Sequence, residues 1–296
     1  MNAPGRPPPV SLGMPVYNGE QFIARALHSL LEQTLSDFEL IISDNASTDT
    51  TPAICAEFAR MDARIRYLRQ PHNIGAPRNW NVLVHEATGE YFKWCPSNDH
   101  WDREMLQKCV AELQRDREAV LCYGRTELID EKDAPICVFD GDHEIANARP
   151  SERFFEAARR IWMNNAQCAV IRTEALRHTR LDRLYPSGDL ALMAELSLYG
   201  SFRLLPDVLT YRRQGPKTFS SLRTPLELQR LYDPGATKPM RLLRVRRHLD
   251  HFLSIARAPV STTEKMRTWR LAGRLAAWDR AHMWREFCTL LPHAAS

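Results

Sequence analysis

VSLGMPVYNGEQFIARALHSLLEQTLSDFELIISDNASTDTT, residues 10–51, decides the fold. It opens on a short apolar run, VSLGMPVY (10–17), read as a buried strand that Pro15 ends, with Asn18-Gly19 as the turn after it. FIARALHSLLEQT (22–34) then puts Phe22, Ile23, Ala26, Leu27, Leu30 and Leu31 on one side at helical spacing. FELIISD (38–44) is a strand with an unbroken apolar centre, the pattern of a strand covered on both faces. NASTDTT closes the unit as a polar turn, in which Thr48 or Asp49 caps a helix through PAICAEFARM. Strand, helix, strand at this spacing is a βαβ unit with parallel strands.

The same alternation continues outward. IRYLRQ (65–70) reads as a strand, NIGAPRNWNVLVHEA (73–87) as a loop entering a helix, and EYFKWC (90–95) as a strand. MLQKCVAELQRD (105–116) is helical and AVLCYG (119–124) is a further strand. The expected fold is α/β, a mostly parallel central sheet with flanking helices. After about residue 125 the pattern loosens. Residues 151–172 read as a helix and a short strand, and 184–200 as a polar turn feeding a helix that begins near Asp189. FRLLPDVLTYRRQ (202–214) holds one or two short strands broken by a proline. From Met240 onward two arginine-rich amphipathic helices are expected.

Composition narrows the classes. A chain of 296 residues, 44% hydrophobic and 26% charged, is an ordinary globular protein of one or two domains. Net charge is +4, too small to argue for nucleic acid. The seven cysteines (55, 95, 109, 122, 137, 168, 288) are scattered and odd in number, which reads as reduced thiols of a cytoplasmic protein. No apolar run reaches the ~18 residues of a membrane span, and the Pro-rich start, MNAPGRPPPV, reads as a disordered lead-in over residues 1–9.

Open α/β sheets bind ligands outside the carboxyl ends of their strands. Tyr17-Asn18, Asp44-Asn45, Asn73 to Arg78 and Ser97-Asn98-Asp99 each follow a strand, so they are expected to converge on one edge.

The ordered motifs MPVYNGEQFIARALHSLLEQT, FELIISDNASTDTT, NIGAPRNWN, ATGEYFKWCPSNDHW, SGD (187–189) and YRRQ (211–214) resemble the family 2 glycosyltransferases over roughly residues 10–215. The resemblance implies a GT-A-type nucleotide-binding fold and inverting transfer of a sugar from a nucleotide donor, usually with a divalent cation. On it, residues 10–125 are the nucleotide-sugar-binding half, 126–235 the acceptor-binding and catalytic half, and 236–296 the C-terminal helices.

Each motif carries a chemistry beside a blander structural role. Asp44 can accept the imide N–H of uracil or thymine, with Pro15, Val16 and Tyr17 as the wall beside the base. Asn45 stands where the family usually has a second acid, and the alternative here is an Asx turn. Arg78 is a donor fork for a phosphate, or a pin for the Asp44 loop. In the acidic motif Pro96 and Asn98 replace usual acids and Asp99 remains. Asp99 with the Ser97-Asn98 turn is expected to hold Mg²⁺ or Mn²⁺ on the donor diphosphate, the alternative being that Asn98 binds sugar hydroxyls without metal. The resemblance places the catalytic base at Asp189, which a helix N-cap would also explain. Arg212, or its neighbour Arg213, is expected at the diphosphate, and GPKTFSSLR (215–223) as a lid over the donor.

The expected reaction moves a UDP- or dTDP-linked sugar to a saccharide or lipid-linked acceptor. The C-terminal helices are expected to pack on the catalytic domain or a second copy rather than to attach peripherally to a membrane, because arginine is spread round them. Two rivals remain in the sequence. A silent nucleotide-sugar-binding protein is consistent with the lost acids, whereas a sugar nucleotidyltransferase would need a Gly-rich basic loop after the first strand, where only Gly13 stands.

Overall fold

The structure is a computed structural model and describes residues 7–215 and 224–289. Residues 1–6 of the lead-in, 216–223 of the segment read as a lid, and 290–296 lie outside the described residues.

The first half is the expected alternation: β1 (Val10–Val16), α1 (Ile23–Leu31), β2 (Phe38–Asp44), α2 (Thr51–Met61), β3 (Ile65–Arg69), α3 (Ala76–Glu86) and β4 (Tyr91–Trp94). β5 (His100–Trp101), α4 (Met105–Arg115), β6 (Ala119–Ile129), β7 (Pro135–Val138), α5 (Pro150–Arg160), a 3₁₀ turn (Asn165–Cys168) and β8 (Val170–Arg172) follow. α6 (Thr173–His178), α7 (Gly188–Leu196), β9 (Ser201–Arg213), α8 (Pro225–Tyr232), α9 (Leu243–Arg257) and α10 (Thr262–Cys288) complete the chain. One nine-stranded sheet runs in the order β3-β2-β1-β4-β8-β6-β9-β5, with β7 beside β6. It is parallel from β3 to β4, and antiparallel pairs enter where β8 joins β4 to β6. The sheet is continuous across residue 125, where the sequence pattern loosens.

Alternation along β1 divides the core. Val10, Leu12, Met14 and Val16 point to the layer of α1, α2 and α4, where Leu27, Leu30, Leu106 and Leu113 are buried. Gly13 points to the α3 side. A Cβ there would stand 2.7 Å from the Phe92 ring and 2.9 Å from Leu83, so only glycine lets α3 close on the sheet. Pro15 was expected to end β1, yet the strand continues through Val16. Gly13 O accepts from Cys95 of the β4 side, and Val16 O accepts from Asn45 on the β2 side. Alternation therefore turns the proline nitrogen toward β4, whose pairing stops at Gly13–Trp94, so no ladder bond is lost.

β9 departs from expectation in the same way. It is one strand of 13 residues, not two fragments. Its register with β6 jumps from Leu205–Gly124 to Val208–Arg125, and Pro206 sits in that bulge, where a missing N–H costs nothing. The pairing carries β6 on to Ile129, five residues past the expected strand, and brings Arg212 and Arg213 to the strand's end.

The C-terminal helices pack on the catalytic body, as the spread of arginine suggested. Ala272 and Leu275 of α10 and Ile255 of α9 are buried against Phe154 of α5 and Ala194 and Leu198 beside α7. The outer side of α10 exposes Met266, Trp278 and Trp284. Among the described residues no helix is long and apolar enough to cross a membrane. All seven cysteines are free thiols.

Candidate active site

The carboxyl ends of β1, β2, β3 and β4 do meet on one edge, and side-chain hydrogen bonds bind their loops together. Asn18 donates its backbone N–H to Ser47 Oγ at 2.9 Å, and its Oδ1 accepts from the Thr48 N–H at 2.8 Å. Asn18 holds φ 51°, which asparagine tolerates better than most residues. Asn45 donates to Asn73 Oδ1 at 2.8 Å and accepts from the Ile74 N–H at 2.8 Å, which fastens the β3–α3 loop. Gly19 lies so near the acidic motif that a Cβ would come within 3.2 Å of Ser97 Oγ.

Asp44 lies beneath this rim. Its side chain is wholly buried; Oδ1 accepts from the Ser47 N–H at 2.8 Å and Oδ2 from the Tyr67 hydroxyl at 2.8 Å, with Arg69 Nε at 3.6 Å. The carboxylate expected to meet the base thus shapes the loop in this structure. The Asx-turn alternative is met only in kind, because the bond closes three residues on, at Ser47, instead of two, and Asn45 bonds across to Asn73 and Ile74. Pro15 and Val16 are buried, while Tyr17 is 47% exposed on the rim and is the free face beside them. Arg78 is exposed at the start of α3, bonded weakly to Ile74 O at 3.4 Å, and lines a separate cleft between α3 and α9.

Asp99 and Asp189 come together through β9 and the 3₁₀ turn. Asp99 Oδ1 accepts the Arg213 backbone N–H at 2.9 Å. Arg213 is itself buried and spent: Nε donates to Asn98 O at 3.0 Å, its guanidinium pairs with Asp133, and it lies 4.2 Å over the Phe22 ring. Arg212 bridges the 3₁₀ turn and the carboxyls around it. It donates to Met163 O at 2.6 Å and to Asn165 Oδ1 at 2.5 Å, and it acts to lower the pKa of three carboxyls, Asp99, Asp142 and Asp189. Asn165 completes the bridge by donating to Asp142 Oδ1 at 2.8 Å.

Asp189 sits in the first turn of α7 and accepts from Asn164 Nδ2 at 2.7 Å. Burial lifts its carboxyl above the usual range, while the Asn164 bond, the helix N–H groups and Arg212 pull it down. Asp182 lies close enough for the two carboxylates to oppose each other's ionisation, and burial followed by the Asp189 charge raises Asp182 well above the ordinary value. The N-cap position of α7 falls to Ser187, not to Asp189, which stands two residues further on as a raised carboxyl beside a second acid.

Burial raises the Asp99 carboxyl to about 6, against the pull of Arg212, Arg213 and Lys93. Lys93 is buried on β4, donating to Cys168 O and lying 5.4 Å from the Trp101 ring centre. A hard cation prefers several charged oxygens. Here Asp99 offers one carboxylate, already sharing Oδ1 with a backbone N–H; Ser97 and Asn98 offer neutral oxygens, and Pro96 offers none. Among the described residues no three His, Cys, Asp or Glu gather as a metal group. The residues therefore fit a divalent cation only as a minor partner, with most ligands supplied by a diphosphate and water.

Several of these residues were not singled out in the sequence: Asn164, Asn165, Asp142, Asp182 and Lys93. The Asn164-Asn165 doublet was the available signal, since asparagine tolerates the left-handed backbone, φ 54°, with which Asn164 enters the 3₁₀ turn. His100 and Tyr211, by contrast, stack on each other at 4.8 Å and flank the site. Trp94 and Trp101 are core.

Comparison with known proteins places this geometry. The profile of Glycosyl transferase family 2 matches residues 11–180. A putative teichuronic acid biosynthesis glycosyltransferase, TuaG of Bacillus subtilis (strain 168), is 30% identical over 132 residues, covering 45% of this chain and 52% of that protein. The uncharacterized glycosyltransferase EpsJ of the same organism is 34% identical over 117 residues, covering 40% of this chain and 34% of that protein. The matched stretch spans about half or less of these relatives. Among solved structures, S. aureus TarS 1-349 in complex with UDP superposes with a TM-score of 0.61 at 18% identity, over 92% of this chain and 73% of that one. The mannosyltransferase PcManGT from Pyrobaculum calidifontis, in complex with GDP-Man and Mn²⁺, gives 0.54 at 16% identity, over 95% and 84%.

Proposed function

This chain belongs to glycosyl transferase family 2, and from that membership we propose that it transfers a sugar, with inversion, from a UDP- or dTDP-linked donor to a hydroxyl of a saccharide or lipid-linked acceptor for surface polysaccharide synthesis. The observation that carries this reading is that Arg212, bonded to Asn165 at the end of β9, lies within electrostatic reach of both Asp99 and Asp189, 90 residues apart in sequence, while Asp189 is held by the neighbouring Asn164. A donor diphosphate fits on the Arg212 and Asp99 side, with its base against Tyr17 and the Pro15–Val16 wall, and Asp44 and Asn45 holding that wall in place. Ser97 and Asn98 face the sugar and phosphates. The acceptor fits on the Asp189 side.

Asp189 takes the proton of the acceptor hydroxyl as its oxygen bonds to the anomeric carbon. The bond from that carbon to the diphosphate oxygen breaks on the opposite face, and the nucleoside diphosphate leaves with the electron pair. One displacement inverts the centre. Its raised pKa makes Asp189 a better base than a solvated carboxylate. Arg212 and the Arg213–Asp99 pairing fix the leaving-group side before reaction. A divalent cation, when bound beside Asp99, supplies Lewis-acid stabilisation of the departing diphosphate.

The test is a thermal-shift panel of uridine, thymidine and guanosine diphosphates and their sugars, with and without Mn²⁺, paired with donor hydrolysis. A nucleotide at ~100 times its Kd stabilises by about 2.7 kcal/mol. Binding with slow hydrolysis supports the reading. Binding with no turnover to water or any acceptor supports a silent binder, and no nucleotide binding at all ends both.

A further inference from the structure

A second cleft adjoins the site at Asp182. It encloses about 690 Å³ between α3 and α9, a size suited to a small ligand. α3 contributes Arg78 and Val82, one helical turn apart, and α9 contributes Arg246, Leu249 and Leu253 at i, i+3 and i+7. The loop 180–185 forms the floor.

The deeper arginines of this floor are neutralised. Arg180 pairs with Asp250, which also accepts from the Tyr185 hydroxyl at 2.5 Å. Arg183 pairs with Glu195 at 2.5 Å and donates to Ser254 Oγ at 3.1 Å. The wall arginines are not. Arg78 and Arg246 each donate only to a backbone carbonyl, at 3.4 and 3.3 Å, and neither has a carboxylate partner among the described residues. Two unpaired guanidiniums on facing walls form a site for a phosphoryl group, which each can bind in a fork. Beside them Leu249 and Leu253 are 58% and 52% exposed, a wet apolar strip that a hydrocarbon chain would cover.

The floor also reaches the chemistry. Asp182 lines the cleft, and its buried Oδ1 makes no well-formed hydrogen bond, Gln167 being its nearest side-chain donor. A buried acceptor oxygen so weakly paired is costly, and an entering hydroxyl would satisfy it. Asp182 stands beside Asp189, so that hydroxyl would arrive next to the proposed base.

We infer that the α3–α9 cleft is the acceptor subsite and takes an acceptor joined to a phosphoryl group, with its hydroxyl at Asp182, its phosphate between Arg78 and Arg246, and an apolar chain along Leu249 and Leu253. This rests on the glycosyl-transfer reading for the direction of the hydroxyl, but the phosphate site stands on its own lining.

Isothermal titration with farnesyl phosphate, farnesol and glycerol 3-phosphate tests it, using the full chain and the variants Arg246→Gln and Leu253→Gln. The wild type is expected to bind farnesyl phosphate at least tenfold tighter than farnesol, and Arg246→Gln to remove that preference. Leu253→Gln should weaken farnesyl phosphate and leave glycerol 3-phosphate unchanged. UDP affinity should be the same in all three proteins. Equal affinity for both phosphates, indifferent to Leu253→Gln but lost in Arg246→Gln, keeps the phosphate site and assigns it to a water-soluble phosphorylated acceptor. Phosphate binding that survives Arg246→Gln, or that UDP competes away, overturns the inference. Failure of the wild type to bind any nucleotide sugar would instead strike the glycosyl-transfer reading, because the phosphate probes are read without a donor.

Discussion

Asn164 Nδ2 donates a 2.7 Å hydrogen bond to Asp189 Oδ2, and this bond joins the 3₁₀ turn to the first turn of α7. Asn164 is buried and held in the left-handed region at φ 54°. Its neighbour Asn165 binds Arg212, so one asparagine doublet sets both the proposed base and the cation facing the leaving group. A carboxylate fixed on one oxygen keeps the other for a proton.

Asp189→Asn keeps the side chain's shape in the first turn of α7 while removing the proposed base. Turnover is expected to fall by roughly 10²–10⁴, with nucleotide affinity within about threefold of wild type. Steady-state kinetics and nucleotide titration on the same preparation check this. Turnover near normal would place the base elsewhere.

The pH profile separates two variants. The Asn164 bond favours the charged form of Asp189, so Asn164→Ala raises that pKa further. Activity needs the ionised base, so the acidic limb of kcat/KM should move to higher pH. The Asp189 charge raises Asp182, which therefore keeps its proton while Asp189 ionises, and Asp182→Asn should leave the limb nearly in place. A limb that moves with Asp182→Asn and not with Asn164→Ala would mean that Asp189 does not set the titration.

Arg212→Gln tests the leaving-group side. Charge-assisted hydrogen bonds of this kind contribute about 1.5–3 kcal/mol, so nucleotide diphosphate affinity should drop roughly 10- to 150-fold. The corresponding nucleoside, which lacks the phosphates, should bind both proteins alike. Equal losses for nucleoside and diphosphate would indicate a collapsed 3₁₀ turn instead, since Arg212 also holds Met163 O.

How far the sequence disclosed this site depends on what made each residue visible. Asp44, Asn45, Asp99 and Asp189 stood out because each interrupts an apolar run or opens a helix, and strand polarity alone brings such positions to one edge. Asn164 and Asn165 stayed hidden because the apolar pattern of 151–172 runs across them, although α5 ends at Arg160 and Asn164 enters the 3₁₀ turn in the left-handed region. Asp182 was invisible for another reason. It lies seven residues before Asp189, and the loop between them folds so tightly that a Cβ on Gly188 would come within 2.6 Å of Arg183 Cβ. Long-range pairing accounts for the rest: β9 reads as fragments until β6 takes up its length, and that pairing is what carries Arg212 and Arg213 to Asp99.

The cation is tested best at Asp99, whose two functions separate in one substitution. Asp99→Asn retains an Oδ1 that accepts the Arg213 N–H, so the turn from Ser97 to Asp99 should keep its anchor to β9. It removes the one carboxylate a cation would use there. In the wild type, Mn²⁺ should add to the thermal shift given by a nucleotide diphosphate, modestly, because Asp99 is a single carboxylate ligand and Arg212 is proposed to share the phosphate charge. In Asp99→Asn the Mn²⁺ increment should vanish while the metal-free shift remains. The unliganded variant should not be less stable at neutral pH, because burial raises the Asp99 carboxyl to about 6: its folded form holds a proton more tightly than the unfolded chain, so ionising it costs stability as pH rises toward 6, and the amide avoids that cost. A Mn²⁺ increment that survives the substitution would remove Asp99 from the cation site. A metal-free shift lost along with it would show that Asp99 acts through the Arg213 anchor instead.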